Sequence, residues 1–143
     1  MAAELFVDTS AWYPIAVPNH PDHGCLADAL TAAVLGGQRV VTTNLIVAET
    51  YALLLARTRR QAALDFLRAV RQSPNEVVSA TPDLEDRAIT HWLERYEDQD
   101  FSLADAVSFE VMTGQGIREV LTLDHHFSAA GFVMVPAAQM PGG

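Results

Sequence analysis

The chain contains no lysine: all nine of its basic residues are arginines. That absence removes P-loop phosphate chemistry, which needs a lysine reaching the β/γ-phosphates. Positive charge is scarce overall, with 18 acids against nine bases and a formal net charge of −9, so a general nucleic-acid coat with a basic footprint is excluded. A single cysteine, Cys25, excludes an internal disulfide and fits a reducing compartment. It reads as a small core side chain. Long apolar runs are missing as well. The greasiest stretch, "LIVAETYALLLA", is too short to span a bilayer and carries Glu49 inside it. The start, "MAAELFVD", has no basic n-region, so no signal peptide is read and a cytoplasmic, membrane-free protein is expected.

What is present is a globular composition. Half of the 143 residues are hydrophobic and 19% are charged, enough for one domain with a proper core. The domain is expected over 1–136, and the tail "AAQMPGG" over 137–143 is expected to be loose. Short Val-rich runs bounded by turn residues read as strands at Leu5–Val7, Arg39–Thr42, Glu76–Ala80, Glu119–Leu123 and Phe132–Val135. Between them lie helical patterns. Leu26, Leu30, Ala33 and Val34 share one face ahead of Gly36-Gly37, and further helices are expected from Asn44 to about Arg57 and from Gln61 to Arg71. Another opens at Pro82-Asp83 with Leu84, Ala88, Trp92 and Tyr96 inward and His91 at the core's edge, and a last one begins at Ser102 and stops before Gly114 or Gly116. This alternation predicts an α/β domain, a mostly parallel five-stranded sheet flanked by helices. Ligands of such sheets sit beyond the carboxyl ends of the strands, where Asp8 and Asp124 fall.

Four acids stand out. Asp8 ends an apolar run and precedes Thr9 and Ser10; "DTS" is also a good helix N-cap. Glu49 has Leu45, Ile46, Ala52 and Leu53 at helical spacing, so it is expected on an apolar face or at that stripe's edge. Asp105, in "DFSLADAVSF", has Phe101 and Phe109 as helical neighbours; Ser102 and Asp105 also form a capping-box pattern. Asp124 closes "EVLTL" and opens "DHHF", where a turn acid is the plain alternative. Asp100 is the weaker neighbour. Carboxylates crowded together repel unless a cation sits among them. Oxygen clusters suit Mg²⁺ or Mn²⁺, which support attack of water on a phosphodiester.

Taken in order, "FVDTSAW", "TTNLIVAE", "SLADAVSF" and "VLTLDHHF" resemble the four motifs of PIN domains, over about Leu5 to Val135. Size and the lack of further domains resemble the VapC-type toxins of bacterial toxin–antitoxin pairs. The resemblance implies a Mg²⁺- or Mn²⁺-dependent endoribonuclease acting on RNA, usually a homodimer, silenced by a small cognate antitoxin. By position, the metal-site acids are Asp8, Glu49, Asp105 and Asp124, with Thr9 or Ser10 supporting them. The alternative within the same fold is a non-catalytic PIN-like scaffold that binds RNA or protein.

Of His125 and His126, one is expected exposed and the other near the site; a "DHH" phosphoesterase needs further upstream motifs that are missing. His20 and His23 read as part of a Pro-flanked loop entering a helix. A phosphoacceptor receiver domain needs a lysine, and an aspartyl-nucleophile phosphatase needs an acid where Ser10 stands. Arg57, Arg59 and Arg60 either compensate a helix end or touch RNA phosphates. The Leu- and Ala-rich surface from Asn44 to Arg71 suits a partner's amphipathic helix.

Overall fold

In the computed structural model, which describes residues 3–136, five short strands alternate with helices. They are β1 (Leu5–Val7), β2 (Val40–Thr43), β3 (Asn75–Val78), β4 (Glu119–Leu121) and β5 (Val133–Val135). The helices are α1 (Thr9–Ala16), α2 (His23–Leu35), α3 (Asn44–Arg57), α4 (Arg60–Val70), α5 (Pro82–Ala88), α6 (Leu103–Gln115) and α7 (His126–Ala129), with a π-helical turn at Ile89–Leu93 after α5. The tail expected to be loose at 137–143 lies outside the described residues. Among those residues no helix is long and apolar enough to cross a membrane.

Every strand pairs in parallel, in the order β3-β2-β1-β4-β5. The sheet therefore grows to one side of β1 through β2 and β3, then crosses to the other through β4 and β5. That reversal opens a crevice at the carboxyl ends of β1 and β4, the place where open α/β sheets bind ligands. Register fixes it: Phe6 lies opposite Val41 and Val120, and Val7 opposite Leu121. β1 and β2 are buried along their whole length, as parallel strands covered on both faces must be. Helices α1 to α4 pack on one another, as do α5 to α7. The second group encloses an aromatic cluster in which Phe109 touches Phe101 at 4.9 Å, Trp92 and Phe127 at 5.0 Å and Phe132 at 5.6 Å between ring centroids.

The strand expected through Leu123 stops at Leu121. Beyond it Leu123 N–H and Asp124 N–H donate to the hydroxyls of Ser10 and Thr122, so the backbone leaves the ladder. Three inward assignments also shift. Cys25 is exposed, because its neighbour Leu26 takes the inward position on α2. Val34 is exposed on the same helix, while Leu30 and Ala33 pack against the core. His91 is exposed too; its ring lies 3.0 Å from Glu110. Trp92, one residue further round, carries the inward contact.

Candidate metal centre and its relatives

Asp8 sits one residue past β1 and caps α1. Its Oδ2 accepts from Ser10 N–H (3.3 Å), Ser10 Oγ (2.9 Å) and Thr122 Oγ1 (3.1 Å). All three bonds fall on Oδ2, which leaves Oδ1 for another ligand. The cap and the site are therefore one carboxylate serving both ends. Asp8 is 5% exposed, and burial pushes its carboxyl up from 3.8 to about 6. The charge of Asp105 pushes the same way, against the stabilising hydrogen bonds from Ser10 and Thr122.

Asp105 arrives on the first turn of α6. The capping box expected from sequence forms: Asp105 N–H donates to Ser102 Oγ (3.0 Å) and Ser102 N–H donates to Asp105 Oδ2 (3.1 Å). Capping and a place in the site coexist here as well. Asp105 is 9% exposed. Asp124 follows β4, its N–H bound to Thr122 Oγ1 (2.9 Å) and its Oδ1 accepting from His126 N–H (2.9 Å).

These acids share a cleft of about 470 Å³ whose walls include Asp8, Thr9, Ser10, Glu49, Arg57, Asp100, Asp105, Asp124 and His126. All four sequence-derived acids thus line one cleft, but of them only Asp105 and Asp124 belong, with His126, to a group of ligand atoms within 4.8 Å of one another. Glu49, however, is exposed: the buried stripe of α3 is Ile46, Val47, Thr50 and Leu54. One residue of helix rotates about 100°, so Thr50 points inward and Glu49 forms the rim. Ser10 touches the Asp8 carboxylate, whereas Thr9 is bonded to the Thr50 hydroxyl (3.4 Å) and touches none of the acids through a hydrogen bond. Arg57 lines the cleft, with its guanidinium 5.8 Å from the Tyr13 ring centroid. Arg59 lines a neighbouring groove instead, and Arg60 is exposed outside both linings.

Two residues were not singled out in the sequence as site members. Thr122 ties Asp8 to Asp124, and its only sequence signal is a hydroxyl two positions before an acid. His126 is the imidazole near the site: its Nδ1 is 3.1 Å from Asp105 Oδ2 and 3.5 Å from Asp124 Oδ1. His125 is the exposed one.

The donor set fits a divalent cation. One ligand atom each from Asp105, Asp124 and His126 lies within 4.8 Å of the others. Among the described residues no arginine forms an ion pair with Asp8, Asp105 or Asp124. Buried carboxylates without a guanidinium need another positive charge, and oxygen-rich sites take hard divalent ions.

A five-stranded parallel sheet with acids converging beyond β1 and β4 is the arrangement of a metal-assisted nuclease domain. The chain belongs to the PIN domain family, whose model matches residues 5–133. Within that family it is an endoribonuclease of the VapC toxin kind. It is 36% identical over 134 residues to the protein named 23S rRNA-specific endonuclease VapC20 of Mycobacterium tuberculosis strain H37Rv, covering 92% of this chain and 97% of the relative. Ribonuclease VapC26 of the same strain is 28% identical over 127 residues, covering 87% and 90%. The crystal structure of Mycobacterium tuberculosis VapC20, described as a Sarcin-Ricin loop cleaving toxin, superposes with a TM-score of 0.82 at 33% identity, covering 91% of this chain and 97% of the other.

Proposed function

We propose that this toxin hydrolyses ribosomal RNA with Mg²⁺ or Mn²⁺ held by Asp8, Asp105, Asp124 and Glu49, leaving a 5′-phosphate and a 3′-hydroxyl. The observation that carries the reading is a pair of buried acids, Asp8 and Asp105, without a guanidinium partner, in a chain so similar along its length to an rRNA endonuclease. When bound, the ion lowers the pKa of attacking water and offsets charge on the phosphoryl and leaving oxygens.

The chain's own residues do the positioning. Ser10 and Thr122 fix the Asp8 carboxylate, and the Ser102 capping box fixes Asp105, so neither acid swings when RNA enters. Glu49 stands at the open rim, toward solvent. Arg57, in the wall of an otherwise acidic cleft, supplies the positive charge that an RNA phosphate requires. Arg59 and Arg60 extend that charge along the surface.

A groove of about 900 Å³ adjoins the cleft, walled by Trp12, Ile15, Val17, Leu30, Phe66 and Val70 and edged by Arg57, Arg59 and Asp65. Its apolar floor and charged edges suit an amphipathic helix of the small cognate antitoxin. The toxin acts as a homodimer in the cytoplasm, where its RNA is. The test is to incubate purified toxin with ribosomes and map new 5′ ends by primer extension. A discrete cut in 23S rRNA that EDTA stops and Mn²⁺ restores is the expected result; cutting that persists in EDTA rejects the metal site.

A further inference from the structure

His126 is the one member of the acid cluster that offers nitrogen. We infer that its Nδ1 binds the metal ion directly, making the centre a mixed oxygen–nitrogen site; this rests on the metal-dependent reading above. The first support is spacing. Two donors in adjacent positions of an octahedral ion, each about 2.1 Å from it, are separated by about 3 Å. The Nδ1 of His126 stands 3.1 Å from Asp105 Oδ2 and 3.5 Å from Asp124 Oδ1, close to that separation on both sides. The three donor atoms lie within one 4.8 Å group.

The second support is that the ring is held in place. It meets the buried Phe101 edge to face, with centroids 5.4 Å apart and planes at 85°. Its own backbone N–H donates to Asp124 Oδ1 at 2.9 Å, which ties that carboxylate to the residue carrying the imidazole at the start of α7. A ring clamped in that way presents Nδ1 to the same point each time.

A nitrogen donor changes which ion the site prefers. Mg²⁺ seeks oxygen and keeps its waters, whereas first-row transition ions take imidazole better, Fe²⁺, Ni²⁺ and Zn²⁺ more than Mn²⁺. His126 therefore tilts the site away from Mg²⁺ and toward first-row transition ions, of which Mn²⁺ is the one whose electron spin reports its ligands. If His126 instead only donated a hydrogen bond to Asp105, the ion would see oxygen alone, and that tilt would be absent.

The experiment uses the full chain without a purification tag, loaded with Mn²⁺, and reads nitrogen coupling to the manganese by pulsed electron paramagnetic resonance. Wild type and His125→Ala should both show coupling to one imidazole nitrogen, and His126→Ala should lose it. Calorimetry should then give His126→Ala an Mn²⁺ affinity lower by about tenfold or more, with Mg²⁺ affinity within about twofold. Loss of affinity alone would also follow from a hydrogen-bonding role, so the nitrogen coupling decides. Mn²⁺-loaded wild type without nitrogen coupling, or coupling that survives in His126→Ala, overturns the inference and leaves the metal site standing. Wild type that binds neither ion overturns the metal site itself. Should His126→Ala not fold, ¹⁵N-histidine labelling of a His20→Ala/His125→Ala variant answers the same question, since both other candidate rings are gone and the coupling must still be present and change with the isotope.

Discussion

The hydroxyl of Thr122 meets the carboxylate of Asp8 at 3.1 Å across 114 positions of sequence. The same hydroxyl accepts from Asp124 N–H at 2.9 Å and lies 2.9 Å from Ser10 Oγ, which in turn accepts from Leu123 N–H at 2.9 Å. Thr122 and Ser10 thereby pin the loop that carries Asp124 onto the carboxylate that ends β1. Thr122→Val keeps the shape and removes the bond. Cleavage should fall about 10- to 100-fold, the usual loss when a group orienting a metal ligand is removed. Thr122→Ser should stay close to wild type in a single-turnover assay on labelled RNA. Equal rates for Val and Ser would mean that the bond positions nothing.

Asp8→Asn and Asp105→Asn should each abolish cleavage and growth arrest while far-UV circular dichroism stays unchanged. Asparagine retains the oxygen that caps each helix but not the charge that holds a cation. Full activity in either variant removes that residue from the metal site.

The burial of Asp8 has a second consequence, for the metal-free protein. Its carboxyl titrates near 6 when folded and near 3.8 when unfolded. Between those values the folded chain keeps a proton that the unfolded chain has released, so stability falls as pH rises through the window. The contribution is fully present below pH 3.8 and lost above about 6. On the linkage scale it amounts to about 3 kcal/mol at most. Denaturant titrations in chelator from pH 4 to 7 should show wild type losing ground steadily to Asp8→Asn, the variant being the more stable at pH 7. Mn²⁺ should return part of that stability to wild type by mass action. A difference between the two that does not change with pH contradicts this account.

Glu49 should behave differently from the buried acids. It is exposed on α3, so Glu49→Gln should change folding stability by no more than about 0.5 kcal/mol. Cleavage should still drop, and by less than in Asp105→Asn. Kinetics that rank Glu49→Gln below Asp105→Asn would give the rim acid the larger role.

With the antitoxin seated in the apolar groove, as proposed above, inhibition separates from catalysis. Ala69 lines it at an exposed position of α4 and is absent from the walls of the acidic cleft. Ala69→Arg should cut RNA at the wild-type rate yet resist the antitoxin, raising its half-inhibitory concentration by about tenfold or more, as a charge forced into an apolar interface does. Unchanged inhibition would place the antitoxin elsewhere.

Much of this was legible in the sequence, and for identifiable reasons. The strands are short, and the central β1 and β2 are buried on both faces, so they read as continuous apolar runs; only the strand ends were displaced, by one or two residues. Asp8 and Asp105 were ambiguous between cap and site because each caps a helix and also lines the acidic cleft. Glu49 could be taken for a member of the apolar stripe because Leu45, Leu53 and Ala52 surround it in sequence. The true stripe passes through Thr50, whose hydroxyl closes back on Ile46 O at 2.8 Å and so can face the core. Periodicity alone does not separate residues one step apart. Thr122 was unreadable because its importance comes from Asp8, a residue at the other end of the chain. His126 and Cys25 show the same limit: a local pattern gives neighbours along the chain, and function here depends on neighbours across it.

The strand order also governs when this protein becomes dangerous to the cell that makes it. β1 is synthesised first but occupies the centre of the sheet, and its second neighbour, β4, arrives only at Glu119–Leu121. Until then Asp8 has no Thr122 to hold it and no Asp124 or His126 across the cleft. On the site proposed above, a growing chain on the ribosome would be inert through most of its translation, and competence would come with the last stretch of the domain. A toxin built in this order gives a partner made alongside it nearly the whole period of synthesis in which to be ready.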